Sequence, residues 1–177
     1  MEVRRDVYSE LARGYVLTLT DEWVAVHVLA DGVYLDGVVL MRLRDISAVR
    51  TEHSDFVDRA LTSIATPLAN FTCAPDATAH DLVVLAASLH PLSAFALGDE
   101  GEEQLMIGHL LRAGKRRVRH RFIRTDGTWV DEVDKWRYDQ IASIHVGGRY
   151  IDGLATFGDP CPDQPGAITK GAMLDEG

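Results

Sequence analysis

The sequence predicts a mainly β fold with short helices, made of two diverged copies of one small five-stranded unit. Three observations predict it: an internal repeat, period-two alternation inside each repeat, and tight-turn residues between the alternating runs. Residues 41–49 line up with residues 136–144, so that Arg42 falls on Arg137 and Ile46 on Ile141. Upstream, Asp31, Gly32, Tyr34 and Asp36 meet Asp126, Gly127, Trp129 and Asp131, and Gly14 meets Gly108. Downstream, residues 56–58 meet residues 150–152. Two unrelated β-segments that merely share an Asp-Gly turn need not keep this order, and duplication is the reading adopted.

Within the first copy, apolar and β-branched runs at 14–20 and 23–29 flank Asp21-Glu22, and Asp31-Gly32 is a hairpin signal. A long strand is expected at 34–43 and a short closing one at 47–51, while 3–8 can supply only a short opening strand, which leaves this unit incompletely closed. The second copy repeats the pattern at 92–98, 104–113, 116–124, 129–138 and 142–146, with turns at Gly114-Lys115 and Asp126-Gly127. Between the copies, 55–65 reads as an amphipathic helix stopped before Pro67, and 78–90 as another with Thr78 as its N-cap and Pro91 beyond its end. The organisation expected is a first unit at 1–66, a linker at 67–77, a second unit at 78–157 that begins with a helix, and a flexible Pro- and Gly-containing tail at 158–177.

A helix followed by five short, bent strands, the fourth running into Arg-Leu-Arg-Asp-Ile (42–46) and the fifth carrying Ser-Ala-Val-Arg (47–50), resembles the Sm-like small β-barrel. The phrases Gly-Tyr-Val-Leu-Thr-Leu-Thr-Asp-Glu-Trp from Gly14 and Asp-Gly-Val-Tyr-Leu-Asp-Gly from Asp31 resemble a bacterial group that carries such barrels in tandem. The resemblance covers about residues 3–157 and implies two tandem Sm-like or SH3-like five-stranded barrels. The Asp-x-apolar-x-Asn strand motif of RNA-binding Sm proteins is absent. A second, more distant resemblance is to WYL-type Sm-like ligand-sensing domains, without the WYL tripeptide and without a helix-turn-helix partner. Fold does not fix function in either case.

Charge and composition narrow the classes. A net charge of -9 and a pI near 5.1 oppose indiscriminate binding to a phosphate backbone, so any nucleic-acid site must be local. Cys73 and Cys161 are far apart and form no CxxC pair, as expected of a reducing cytoplasm. No run approaches the ~18 apolar residues of a membrane span, so no membrane association is expected.

The basic run 115–122 places Arg117, Arg119 and Arg121 on one strand face and Arg116, Val118, His120 and Phe122 on the other. With Lys115, Arg124 and a stacking surface at Trp129, that stripe suits a nucleic acid or an acidic partner. Alternatively its arginines pair with Asp131 and Asp134 on the neighbouring strand and simply solvate an outer face. The repeated residues Tyr34, Asp36 and Arg42, with Trp129, Asp131 and Arg137, form either a duplicated ligand notch or structural parts that both units need. The seven histidines lack HxH or HxxxH spacing, and no nucleophile elbow or phosphate loop is present, so no catalytic residue, metal or cofactor is expected.

The function expected is therefore a non-catalytic interaction module that binds another protein or itself as a homo-oligomer, most simply a dimer. RNA or nucleotide binding through the arginine stripe and sensing of a small anionic ligand in the WYL manner stand as alternatives.

Overall fold

The computed structural model describes residues 1–5, 10–51, 53–65, 67–97 and 105–163. The first half contributes β1 (Glu2–Arg5), β2 (Glu10–Leu19), β3 (Trp23–Ala30), β4 (Tyr34–Arg42), β5 (Ala48–Arg50) and helix α1 (Asp55–Ile64). The second contributes α2 (Ala79–Leu89), β6 (Ser93–Leu97), β7 (Leu105–Ala113), β8 (Arg117–Ile123), β9 (Trp129–Arg137), β10 (Ile141–Val146) and α3 (Arg149–Phe157). A 3₁₀ turn, Leu43–Asp45 in one half and Tyr138–Gln140 in the other, carries the chain from the fourth strand of each set to the fifth.

Where two tandem five-stranded barrels were expected, the strands form one ten-stranded antiparallel open sheet in the order β5-β1-β2-β3-β4-β10-β6-β7-β8-β9. Each half supplies five neighbouring strands in the same sequence of fifth, first, second, third and fourth. The halves meet where β4 pairs with β10, with Val38 opposite Val146, Leu40 opposite Ile144 and Met41 opposite Ser143. The physical reason is in the residues: Val38 to Met41 and Ile141 to Ile144 are buried apolar or small side chains, and pairing the two strands removes both edges from water. Register shifts recur at matched places, after Val16 in β2 and Leu110 in β7, and after His27 in β3 and Arg121 in β8. Such bulges bend a strand and increase its twist, so both halves curl in the same way.

Helix α2 begins with Thr78 and Asp81 in a reciprocal capping box, as the sequence led one to expect of Thr78. Its Leu82, Val83 and Ala86 pack onto Trp23, Ala25 and Leu40 from the first half and Phe95, Val118 and Ile144 from the second, so one core spans both. A second cluster, Val3, Ala12, Val24, Val26, Val39 and Met41, fills the first half alone. Helix α3 was not foreseen. It buries Ile151 and Leu154 against Leu92, Ile107 and Ile123, whereas its counterpart α1 buries no residue. The tail expected to be flexible from residue 158 packs as far as 163: Asp159 N–H donates to Gly127 O, and Cys161 is buried. Residues 164–177 lie outside the described residues, as do parts of the expected strands (6–8, 98 and 104) and the acidic residues at 99–103.

The core that spans both halves has a polar oddity at its second-half end. His120 is fully buried against the rings of Phe95, Phe122 and Trp136, and although the backbone of Gly108 and Ser93 lies near its ring, neither ring nitrogen makes a well-aligned hydrogen bond. Burial, assisted by nearby His109, lowers its pKa to about 3. A folded-state pKa below the unfolded value means that the unfolded chain takes up a proton first. This site's contribution to stability is complete above about pH 6.5 and is lost progressively as the pH falls toward 3. Replacing His120 with Leu should stabilise the chain by about 1–3 kcal/mol at neutral pH, because an unpaired buried polar group is removed. The gain should grow on acidification from pH 6.5 to 4.5, as read by urea denaturation at each pH, and a gain independent of pH would argue against this account.

Candidate functional site

The strand order decides what each candidate residue can do. In the first half, Tyr34 and Asp36 gather on Arg149 at the start of α3. The Asp36 carboxylate accepts the Arg149 backbone N–H at 2.7 Å, the Arg149 guanidinium reaches Asp31 at 3.2 Å, and it lies 5.6 Å from the centre of the Tyr34 ring. Arg42 stands at the other end of β4, about 20 Å away at strand spacing. It is buried over the Trp23 ring, at 4.8 Å, and its Nε donates to Ile141 O at 2.8 Å while its Nη2 donates to Tyr138 O. The first-half notch is thus not brought together: Tyr34 and Asp36 anchor one end of the joint between the halves and Arg42 the other.

In the second half, Trp129 is half-buried beside Ile123 and α3, and its Nε1–H donates to Asp159 O at 2.7 Å. Asp131 is exposed, and Arg137 is exposed and paired with Asp139 at 2.8 Å. Their first-half counterparts are engaged because β4 lies at the joint, while β9 lies at an open edge of the sheet.

Of the arginine stripe, two members hold the fold. Arg121 forms an ion pair with Asp163, its Nη2 lying 3.3 Å from Oδ1, and donates to Val130 O at 2.9 Å and Asp131 O at 2.6 Å. Arg124 closes its own hairpin by donating to Thr128 Oγ1 at 3.3 Å and Trp129 O at 2.9 Å. Lys115, Arg117 and Arg119 are exposed. The expected neutralisation by Asp131 and Asp134 does not occur. Asp134 stands opposite His120 and so on the other face, and the strand neighbours of Arg117 and Arg119 are Arg137 and Lys135. On the other flank Arg112 of β7 stands opposite Arg119.

The outer face of β7, β8 and β9 therefore carries two transverse rows of cations, Arg112-Arg119-Lys135 and Arg117-Arg137, with Lys115 and Arg116 at the adjoining hairpin tip. Sequence reading missed Arg112 and Lys135. Alternation within β7 and β9 is visible in the sequence, but only the register shows that their phases coincide with that of β8. Among the described residues, Arg112, Arg117, Arg119 and Lys135 have no ion-pair partner within 4.0 Å. Like charges on neighbouring strands destabilise a sheet, so this face stores unfavourable repulsion that an anionic partner would relieve.

Other features are less suggestive. A 270 Å³ cleft at the joint is lined largely by Val38, Val39, Ile151 and the Gly147-Gly148 pair, with Asp36, His145 and Tyr150 as its ionisable groups. His109 and His120 point to opposite faces of their hairpin, His109 beside Arg121 and His120 beside Leu110. Among the described residues no group of three or more His, Cys, Asp or Glu could hold a metal ion. No helix among them is long and apolar enough to cross a membrane. No family model, curated protein or solved structure matches the chain.

Proposed function

We propose that the chain is a non-catalytic interaction module that assembles with copies of itself through its two open sheet edges, each half being a curled Sm-like unit. The observation that carries this reading is the internal joint. β4 of the first half pairs with β10, the fifth strand of the second. Among the described residues, the strands left open at the two ends of the sheet are β5 and β9, which are the fifth strand of the first half and the fourth of the second. The chain thus ends in the same two kinds of edge that it already joins internally. A contact of this head-to-tail type repeats from copy to copy and closes into a ring if the rotation allows, two molecules being the smallest.

Transposing the internal register onto the open edges, with Met41 matched to Trp136 and Ile46 to Ile141, sets Ala48 opposite Trp136, Val49 opposite Lys135 and Arg50 opposite Asp134. That register suits the residues. Val49 is 55% exposed, Arg50 is exposed, and the Asp134 pKa is raised by partial burial and by the neighbouring Glu132, the state of a carboxylate that gains from a cation. Arg137 would then repeat the work of Arg42 by donating to the Leu43 and Ile46 carbonyls of the next copy.

Sedimentation velocity should show species heavier than a monomer at about 50 μM. Asp134→Arg should weaken association about tenfold or more, and adding Arg50→Asp to the same chain should restore it. A monomer at every concentration, or a double exchange that fails to restore, would sink the proposal. An anionic-ligand sensor is less supported, since Tyr34, Asp36 and Arg42 are already engaged within the chain.

A further inference from the structure

We infer that the outer face of β7, β8 and β9 docks an extended acidic segment of a partner protein, whose carboxylates lie across the rows Arg112-Arg119-Lys135 and Arg117-Arg137. This surface shares Lys135 and Arg137 with the β9 edge used in self-assembly, but Arg112, Arg117 and Arg119 lie on β7 and β8 away from that edge, so variants at Arg117 and Arg119 test it apart from self-assembly.

Geometry supplies the class of ligand. Cations within a row are about 5 Å apart, one strand spacing, and the rows are about 7 Å apart, two residues along a strand. An extended peptide has the same two-residue repeat, so acidic side chains at alternate positions can meet successive rows in register. Arginine dominates the patch, and its planar fork grips a carboxylate through two N–H groups. The fold already displays one such contact. Asp163, on the segment that crosses the neighbouring end of this face, is held by the Nε and Nη2 groups of Arg121. Arg119 and Arg117 continue the line of Arg121 along β8, and they are open.

The same geometry disfavours a nucleic acid. The patch covers only three strands by two rows, and the exposed acids Asp131 and Asp139 lie at its margins. A polynucleotide continues past any short site with about one charge every 3.4 Å along each strand, and so would run onto those acids. Nor does the patch offer a stacking platform. Trp129 is committed to Asp159 and α3, and Trp136 turns to the other side of β9, against Phe95, His120 and Phe122.

The test is fluorescence anisotropy with fluorescein-labelled octaglutamate and, in parallel, a labelled 20-nucleotide oligouridylate, at about 20 mM and 200 mM salt. Octaglutamate should bind at low salt and weaken at high salt. The Arg117→Glu, Arg119→Glu double variant should lower its affinity at least about tenfold, and Lys135→Ala about threefold. Arg59→Glu, on exposed α1, should leave it unchanged. Because all four positions are exposed, circular dichroism should confirm that each variant folds. Absence of octaglutamate binding at low salt, binding that survives the double reversal, or tighter binding of oligouridylate than of octaglutamate would each overturn the assignment. The first two outcomes leave the sedimentation result untouched, so failure here is distinguishable from failure of self-assembly.

Discussion

Arg42→Ala should lower the stability of the chain by about 3–5 kcal/mol and melt both halves together. The guanidinium is buried where the halves meet, and two of its N–H groups reach carbonyls on the far side of the joint, at Ile141 and Tyr138. Alanine leaves those carbonyls without a donor, removes the cation from the face of Trp23, and opens a void between the halves. Burial pushes the Arg42 pKa down, and Arg44 adds to this, but a guanidinium titrates far above neutrality and stays charged. Arg42→Lys keeps the charge and loses the forked geometry, and an intermediate loss is expected. The matched residue makes the control. Arg137 is exposed and paired locally with Asp139, so in the monomer Arg137→Ala should change stability by less than about 0.5 kcal/mol. Guanidinium denaturation followed by tryptophan fluorescence measures both, and similar small effects for the two variants would show that the joint does not depend on Arg42.

That contrast marks the limit of sequence reading. Arg42 and Arg137 are the same residue of the same repeat, and nothing local says that one is buried and the other open. The difference arises from which strands find partners, which is a long-range choice between edges that look alike. What could be read was local: the alternation of β2 to β4 and β7 to β9, the Asp-Gly turns, and the Thr78 cap of α2. Helix α3 escaped notice although 150–152 had been matched to the start of α1, because a glycine at 153 and flanking glycines weakened its helical pattern. The cationic face was half legible. Its β8 members stood in one basic run, while Arg112 and Lys135 came from strands whose register no single-strand pattern contains. Repetition, the feature that suggests a ligand notch at Tyr34 and Asp36, equally marks a structural anchor, and here the anchor is what these residues form.

Gly108→Ala and Gly14→Ala should each cost about 3 kcal/mol or more, enough to prevent soluble accumulation of a marginal domain. A Cβ at Gly108 would lie 2.0 Å from the carbonyl oxygen of Arg121 and 2.8 Å from the ring of His120. At Gly14 it would lie 2.0 Å from the carbonyl oxygen of His27 and 3.0 Å from Val26 Cγ1. The obstructing atoms belong to the backbone of the neighbouring strand, so relief requires breaking the β2–β3 or β7–β8 ladder. Gly153→Ala in α3 meets nothing within 4 Å and should be neutral or stabilise by up to about 1 kcal/mol, which separates steric conflict from a general effect of removing glycine. Thermal denaturation of whatever folds, with expression yield for what does not, reads all three. If Gly108→Ala matches the parent in melting temperature, the close strand approach is not needed for the fold. If the two costs are alike, the halves share one bending device as well as one strand order, as two copies of a single unit should.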